Sequence, residues 1–173
     1  MEPINVDIKY TSMDLQKSYE LHYNVYYPVR SKLLLILGIL LAVVGLLLIC
    51  LNNMLDQNDG WLGKLYMVLG VLAILYHFWK ISTMGKKMFD KMPDFQLPYK
   101  VTISSSGICI KGSTVSSEVA WEHYTEAVVT ANMILVYTNP FKFNIFRKTA
   151  FTDEQFERLS AVVIERVKSV KRK

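Results

Sequence analysis

Residues 33–51 read LLLILGILLAVVGLLLICL, a run without a charge. At about 1.5 Å per residue it comes close to the roughly 30 Å hydrocarbon layer of a bilayer, where only a helix satisfies its own backbone polar groups. A core helix of a soluble protein is the competing reading. However, a chain of 173 residues offers no protein shell thick enough to surround a helix that is apolar on every side. A cleaved signal peptide fails as well. Its apolar stretch would be about 7–15 residues near the N-terminus, whereas here Glu2, Asp7, Asp14 and Glu20 precede the run. The stretch predicts a transmembrane helix.

A second run, WLGKLYMVLGVLAILYHFW at residues 61–79, is apolar except for Lys64 near its start and His77 near its end. Both polar side chains are expected to reach water at an interface, with Trp61, Tyr66, Tyr76 and Trp79 marking the headgroup levels. The linker from Asn52 to Gly60 is short, so the two helices must run antiparallel as neighbours. Gly38, Ala42 and Gly45 fall on one face of the first helix, and Gly63, Gly70 and Ala73 on one face of the second. Small residues let helix backbones approach closely where lipid supplies no hydrophobic drive. Packing the hairpin is their simplest use, and homodimerisation is the alternative. Arg30 and Lys32 precede the first run, and Lys80, Lys86, Lys87 and Lys91 follow the second, while the linker carries no base. The positive-inside bias then predicts a multi-pass cell-membrane protein with both termini cytoplasmic, Lys64 dissenting.

Composition agrees. Apolar residues make up 51% and charged residues 20%, below the roughly 25% of an average soluble domain, and mean hydropathy is +0.21. Disorder is excluded. Cys50 and Cys109 have neither the spacing nor the context of a disulfide or metal site.

Outside the hairpin the period changes. In residues 4–10, Ile4, Val6, Ile8 and Tyr10 alternate with Asn5, Asp7 and Lys9, as in a strand buried on one face. One short strand is not stable alone and must join a sheet built elsewhere. Thr11 or Ser12 can cap a following helix that carries Leu15, Tyr19 and Tyr23. Residues 80–95 read as a basic juxtamembrane helix. From Leu97 the period is two: strands are predicted through Tyr99–Ile103, Ile108–Ile110, Val119–Trp121, Ala127–Val129, Ile134–Tyr137 and Phe141–Arg147, separated by turns at Ser104–Gly107, Gly112–Ser117 and Asn139–Pro140. Thr152 and Gln155 then match a capping box, and Phe156, Leu159, Val163, Val167 and Val170 form the apolar stripe of a closing helix. The resulting divisions are 1–32, 33–79, 80–95 and 96–173. The fold class is membrane α+β, a transmembrane hairpin with an antiparallel meander or small barrel followed by a C-terminal amphipathic helix.

The bases Lys86, Lys87, Arg166, Lys168, Lys171, Arg172 and Lys173 suit either solvated helix ends or anionic lipid, the latter worth about 1 kcal/mol per residue near a charged surface. No base-reading motif accompanies them, so nucleic acid is not expected as a partner. His22, His77 and His123 lack metal-ligand spacing. Glu122, His123 and Glu126 cluster in the sequence, but they fit solvent-facing positions better than a general base. Ser104, Ser105 and Ser106 before Gly107 make a turn without the signature of a nucleophile elbow. No catalytic residue, cofactor or metal site is expected.

The order of these elements, with Val119-Ala120-Trp121-Glu122, Met133-Ile134-Leu135-Val136-Tyr137 and Phe151-Thr152-Asp153-Glu154-Gln155-Phe156, resembles the YcxB-like family of small bacterial membrane proteins. The resemblance implies a PH-like half-barrel of six strands plugged by the last helix, with the N-terminal arm as a candidate seventh. It implies no defined enzymatic activity. The expected function is a membrane-tethered cytoplasmic scaffold or signalling module that engages a protein partner. The alternative is a bilayer-acting protein such as an immunity factor or an oligomeric transporter subunit.

Overall fold

The computed structural model describes residues 2–55, 60–114 and 116–173, apart from the side chains of Arg30, Ser31 and Asp94. The middle of the predicted linker, Asp56 to Asp59, and Val115 in the second predicted turn lie outside the described residues. The chain divides into two compact units, Met1–Ser18 with Met88–Lys173, and Tyr19–Lys87.

In the first unit the N-terminal arm is a strand, β1 (Ile4–Ile8), and it joins the C-terminal sheet. Ile4 and Ile8 are buried while Asn5 and Asp7 face out, as the alternation requires. β1 pairs antiparallel with β2 (Tyr99–Ile103), β2 with β3 (Gly107–Lys111), and β3 with β4 (Ser116–Ala120). A Cβ at Gly107 would collide with the Val119 carbonyl oxygen, so this crossing needs glycine. A second sheet has the order β7-β6-β5-β8, formed by β5 (Glu126–Val129), β6 (Met133–Asn139), β7 (Lys142–Arg147) and β8 (Ser169–Arg172). All five residues Met133–Tyr137 at the start of β6 are buried, so this strand is covered on both faces. The α+β content is as expected, but the strands form two four-stranded sheets that do not close into a barrel.

One helix begins in this unit and continues into the second, and another lies within it. α1 (Ser12–Tyr26) begins behind Thr11, whose Oγ1 accepts from the Asp14 backbone N–H at 3.3 Å while the Asp14 carboxylate accepts from the Thr11 N–H at 2.7 Å. Leu15 on its first turns is fully buried. α4 (Asp153–Arg166) starts with the predicted capping box between Thr152 and Gln155 and packs Phe156, Leu159 and Val163 inward, against β5 among other elements.

Two further details of this unit differ from the sequence reading. Trp121 does not extend a strand: residues 121–123 form a 3₁₀ turn, and the indole N–H donates to the Ser104 carbonyl at 2.9 Å. The closing helix stops at Arg166, and Val170 lies in β8, opposite Ala127. Val167 and Val170 satisfy a helical stripe and a strand equally well on paper. The unpaired edge of β5 decides the matter, because each buried backbone group needs a partner.

In the second unit, α2 (Pro28–Met54) and α3 (Trp61–Lys91) are long and apolar enough to cross a membrane. Only 11% of each apolar window is buried, unlike the core helix of a soluble protein. α3 runs unbroken to Lys91, and a 3₁₀ turn, Pro93–Gln96, follows it. The small-residue faces meet one another. A Cβ on Gly45 would lie 2.5 Å from the Met67 nitrogen, one on Gly70 2.5 Å from the Ala42 nitrogen, and one on Gly38 3.2 Å from the Ala73 Cβ. His77 does not reach out to water as expected: it is 7% exposed. It follows Gly63 and Gly70 at a spacing of seven, and all three are buried on one face of α3.

Candidate functional site

Of the polar residues that the sequence groups together, Glu122 and His123 stay together and Glu126 is separated from them. Glu122 and His123 sit on the 3₁₀ turn, both exposed, with Nε2 and Oε1 3.8 Å apart. Glu126 instead lies on β5 and faces Lys171 at 3.9 Å. Ser104 and Ser106 share a hydrogen bond of 2.8 Å within their turn.

A different cluster was not visible in the sequence. Asp14 receives hydrogen bonds from Thr11 and, at 2.6 Å, from Arg147 Nη1, while Arg147 Nη2 donates to the Lys9 carbonyl at 3.0 Å. Tyr10 donates its hydroxyl to the Ile145 carbonyl at 2.6 Å. These contacts tie the arm after β1 to β7. Asp14 and Arg147 are 133 positions apart, and the local cap that involves Asp14 says nothing of Arg147, so no sequence signal connects them.

The arrangement keeps phenols neutral. Burial raises the Tyr10 phenol far above its ordinary pKa, with Tyr99 adding to the effect and Arg147 opposing it. Burial pushes Tyr124 up to about 12, although the Asn144 amide that donates to its oxygen at 2.9 Å works in the opposite direction. In the unfolded chain a phenol ionises near 10. The stability these two groups confer is therefore complete below pH 10 and declines as pH rises through about 12 for Tyr124. The slope is about 1.4 kcal/mol per pH unit for each phenol still protonated in the folded state. Tyr124→Phe should make the urea midpoint of the domain less sensitive to pH between 10 and 12. An unchanged pH dependence would show that Tyr124 ionises freely while the domain is folded. Among other groups, His22 is packed against the rings of Tyr23, Tyr26 and Tyr27, and burial lowers its pKa. Lys148 is raised by its hydrogen bond to Asp153.

Each unit carries exposed bases. Lys87 holds its ammonium 4.4 Å from the Trp79 ring centre, and Lys86 is exposed on the same helix. Arg166 ends α4 beside Glu165, at 3.4 Å. Lys168, Lys171, Arg172 and Lys173 are carried by β8 and its flanks and are exposed. β8 runs parallel to β5, with Glu126 opposite Ser169 and Val129 opposite Arg172. The Lys173 N–H donates to the Val129 carbonyl at 3.1 Å. Alternate residues of a strand aim their N–H and C=O at the same neighbour, so Ser169, Lys171 and Lys173 point to β5. Val170 and Arg172 therefore turn their backbone groups to the open edge of the sheet. No group of three or more metal-ligating side chains occurs among the described residues.

Residues 103–163 match the family model described as YcxB-like protein. The matched segment covers β3 to β7 and most of α4, including all three stretches that carry the resemblance seen in the sequence. No curated protein and no solved structure matches the chain.

Proposed function

We propose that the chain is a membrane-tethered cytoplasmic interaction module without catalytic activity of its own. Its α2–α3 hairpin spans the bilayer, both termini lie in the cytoplasm, and its PH-like domain offers sheet edges to a protein partner. The observation that carries this reading is the pairing of β1 with β2. The two strands flank the hairpin in sequence and share one sheet, so the chain between them must cross a membrane an even number of times. Two long apolar helices meet that requirement. The bases flanking the helices favour the cytoplasmic side for both ends. Strand edges are a recurrent means of recruiting an extended peptide, since main-chain hydrogen bonds supply affinity and neighbouring side chains supply choice.

Topology is tested with a reporter active only outside the cytoplasm inserted after Leu55, and a fluorescent protein that matures only in the cytoplasm fused after Lys173. Both should give signal. A silent reporter at Leu55 would overturn the reading.

The bilayer-acting alternative draws on His77, an ionisable group buried on a helix face within an apolar segment. It requires solute or ion flux in reconstituted vesicles that His77→Ala abolishes. Absence of flux would remove it.

A further inference from the structure

We infer that the open edge of β8 binds an extended acidic peptide strand, which would become the fifth strand of the second sheet. This deepens the interaction reading above by naming the surface and the chemistry of the partner. β8 ends the sheet order, and the backbone groups of Val170 and Arg172 point away from β5. An incoming strand would meet these groups as its hydrogen-bond partners. Lysine on an edge strand ordinarily discourages pairing with a second copy. The same charges select a partner of opposite sign.

The ladder already contains an example of the recognition. Glu126 on β5 meets Lys171 diagonally across the strand pair at 3.9 Å, the kind of opposite-charge contact that supports neighbouring strands. Lys168, in the bend before β8, and Arg172 within it are exposed and form no ion pair among the described residues, and acids on an added strand would complete the equivalent pattern with them. Placement of the bases favours a strand over a lipid surface. Arg172 projects from one face of the sheet, and Lys171 and Lys173 from the other, because side chains alternate along β8 and its continuation at Lys173. A plane laid on either face meets only some of them. A strand in the sheet meets both sets with its own alternating side chains.

The test uses the full chain in discs of zwitterionic lipid, where both sides of the bilayer are open, so an error in the proposed topology would leave the result unaffected. Fluorescent peptides of alternating valine and glutamate, or of valine and lysine, serve as probes, read by anisotropy. The glutamate peptide should bind and the lysine peptide should not. Arg172→Pro removes an outward N–H while leaving the inward hydrogen bonds of Ser169, Lys171 and Lys173 in place, and should weaken binding about tenfold. Reversing both charges, with Lys168→Glu and Arg172→Glu, should switch preference to the lysine peptide, a gain that unfolding cannot mimic. Undiminished binding to Arg172→Pro, equal binding of the two peptides, or binding to anionic vesicles without binding to the glutamate peptide would each overturn the inference.

Discussion

Deleting residues 2–9 should unfold the domain made by the C-terminal half of the chain. Ile4 and Ile8 are 2% and 0% exposed, and they stand opposite Ile103 and Tyr99 on β2. Truncating one such isoleucine to alanine costs about 2–5 kcal/mol, from lost transfer energy and the cavity left behind. Removing the strand loses both isoleucines, the ladder to β2 and the Lys9 carbonyl that receives Arg147. A domain with about 5–15 kcal/mol in hand does not survive that sum. Ile8→Ala should give a folded but weakened protein. The measurement is urea unfolding followed by Trp121, which is 5% exposed, in a background with Trp61→Phe and Trp79→Phe. A deletion variant that keeps its cooperative transition would mean that β1 is an accessory to the sheet and would weaken the even-crossing argument.

The arm illustrates how much of the fold was legible beforehand. Its alternating pattern identifies the strand and the face it buries, because a period of two follows directly from the geometry of a pleated chain. The same pattern names no neighbour, so the pairing of Ile4 with Ile103 across the hairpin emerges only in three dimensions. Local signals performed well where they are self-contained: the Thr152–Gln155 capping box is present as written. They failed where tertiary contacts arbitrate. Val167 and Val170 fit the stripe of α4, yet β8 forms because β5 presents an unfilled edge. The basic tail was visible as composition, but its division between the two faces of a strand depends on that edge. His77 was read by depth along its helix, whereas its burial follows from its face, set by the spacing from Gly63 and Gly70. The Asp14–Arg147 contact has no local signature at all.

Gly70→Leu should separate the two long helices. In the bilayer proposed above, lipid supplies no hydrophobic gain from joining them, so close backbone packing supplies the attraction. At Gly70 an added Cβ would lie 2.6 Å from the Gly38 carbonyl oxygen and 2.5 Å from the Ala42 nitrogen. Both obstacles are backbone atoms, which no rotamer change can move aside. A leucine there pushes the helices apart, and the dispersion lost along the seam from Gly38 to Gly63 is not recovered elsewhere. Cysteines at positions 38 and 73 provide the readout: a Cβ at position 38 would start 3.2 Å from that of residue 73, and its closest approaches, 2.9 Å to the Ile74 side chain and 3.0 Å to the Gly70 carbonyl oxygen, are milder than those at Gly70, so a shift of a few tenths of an ångström relieves them and brings the pair to the roughly 3.8 Å typical of a disulfide. In a background with Cys50→Ser and Cys109→Ser, mild oxidation should cross-link this pair nearly completely. Adding Gly70→Leu should cut the yield severalfold, whereas Leu72→Ala, at a position 55% exposed and away from the seam, should leave it unchanged. Cross-linking that survives Gly70→Leu would show that the small residues are not what holds the hairpin, and would free those faces for association with a second copy.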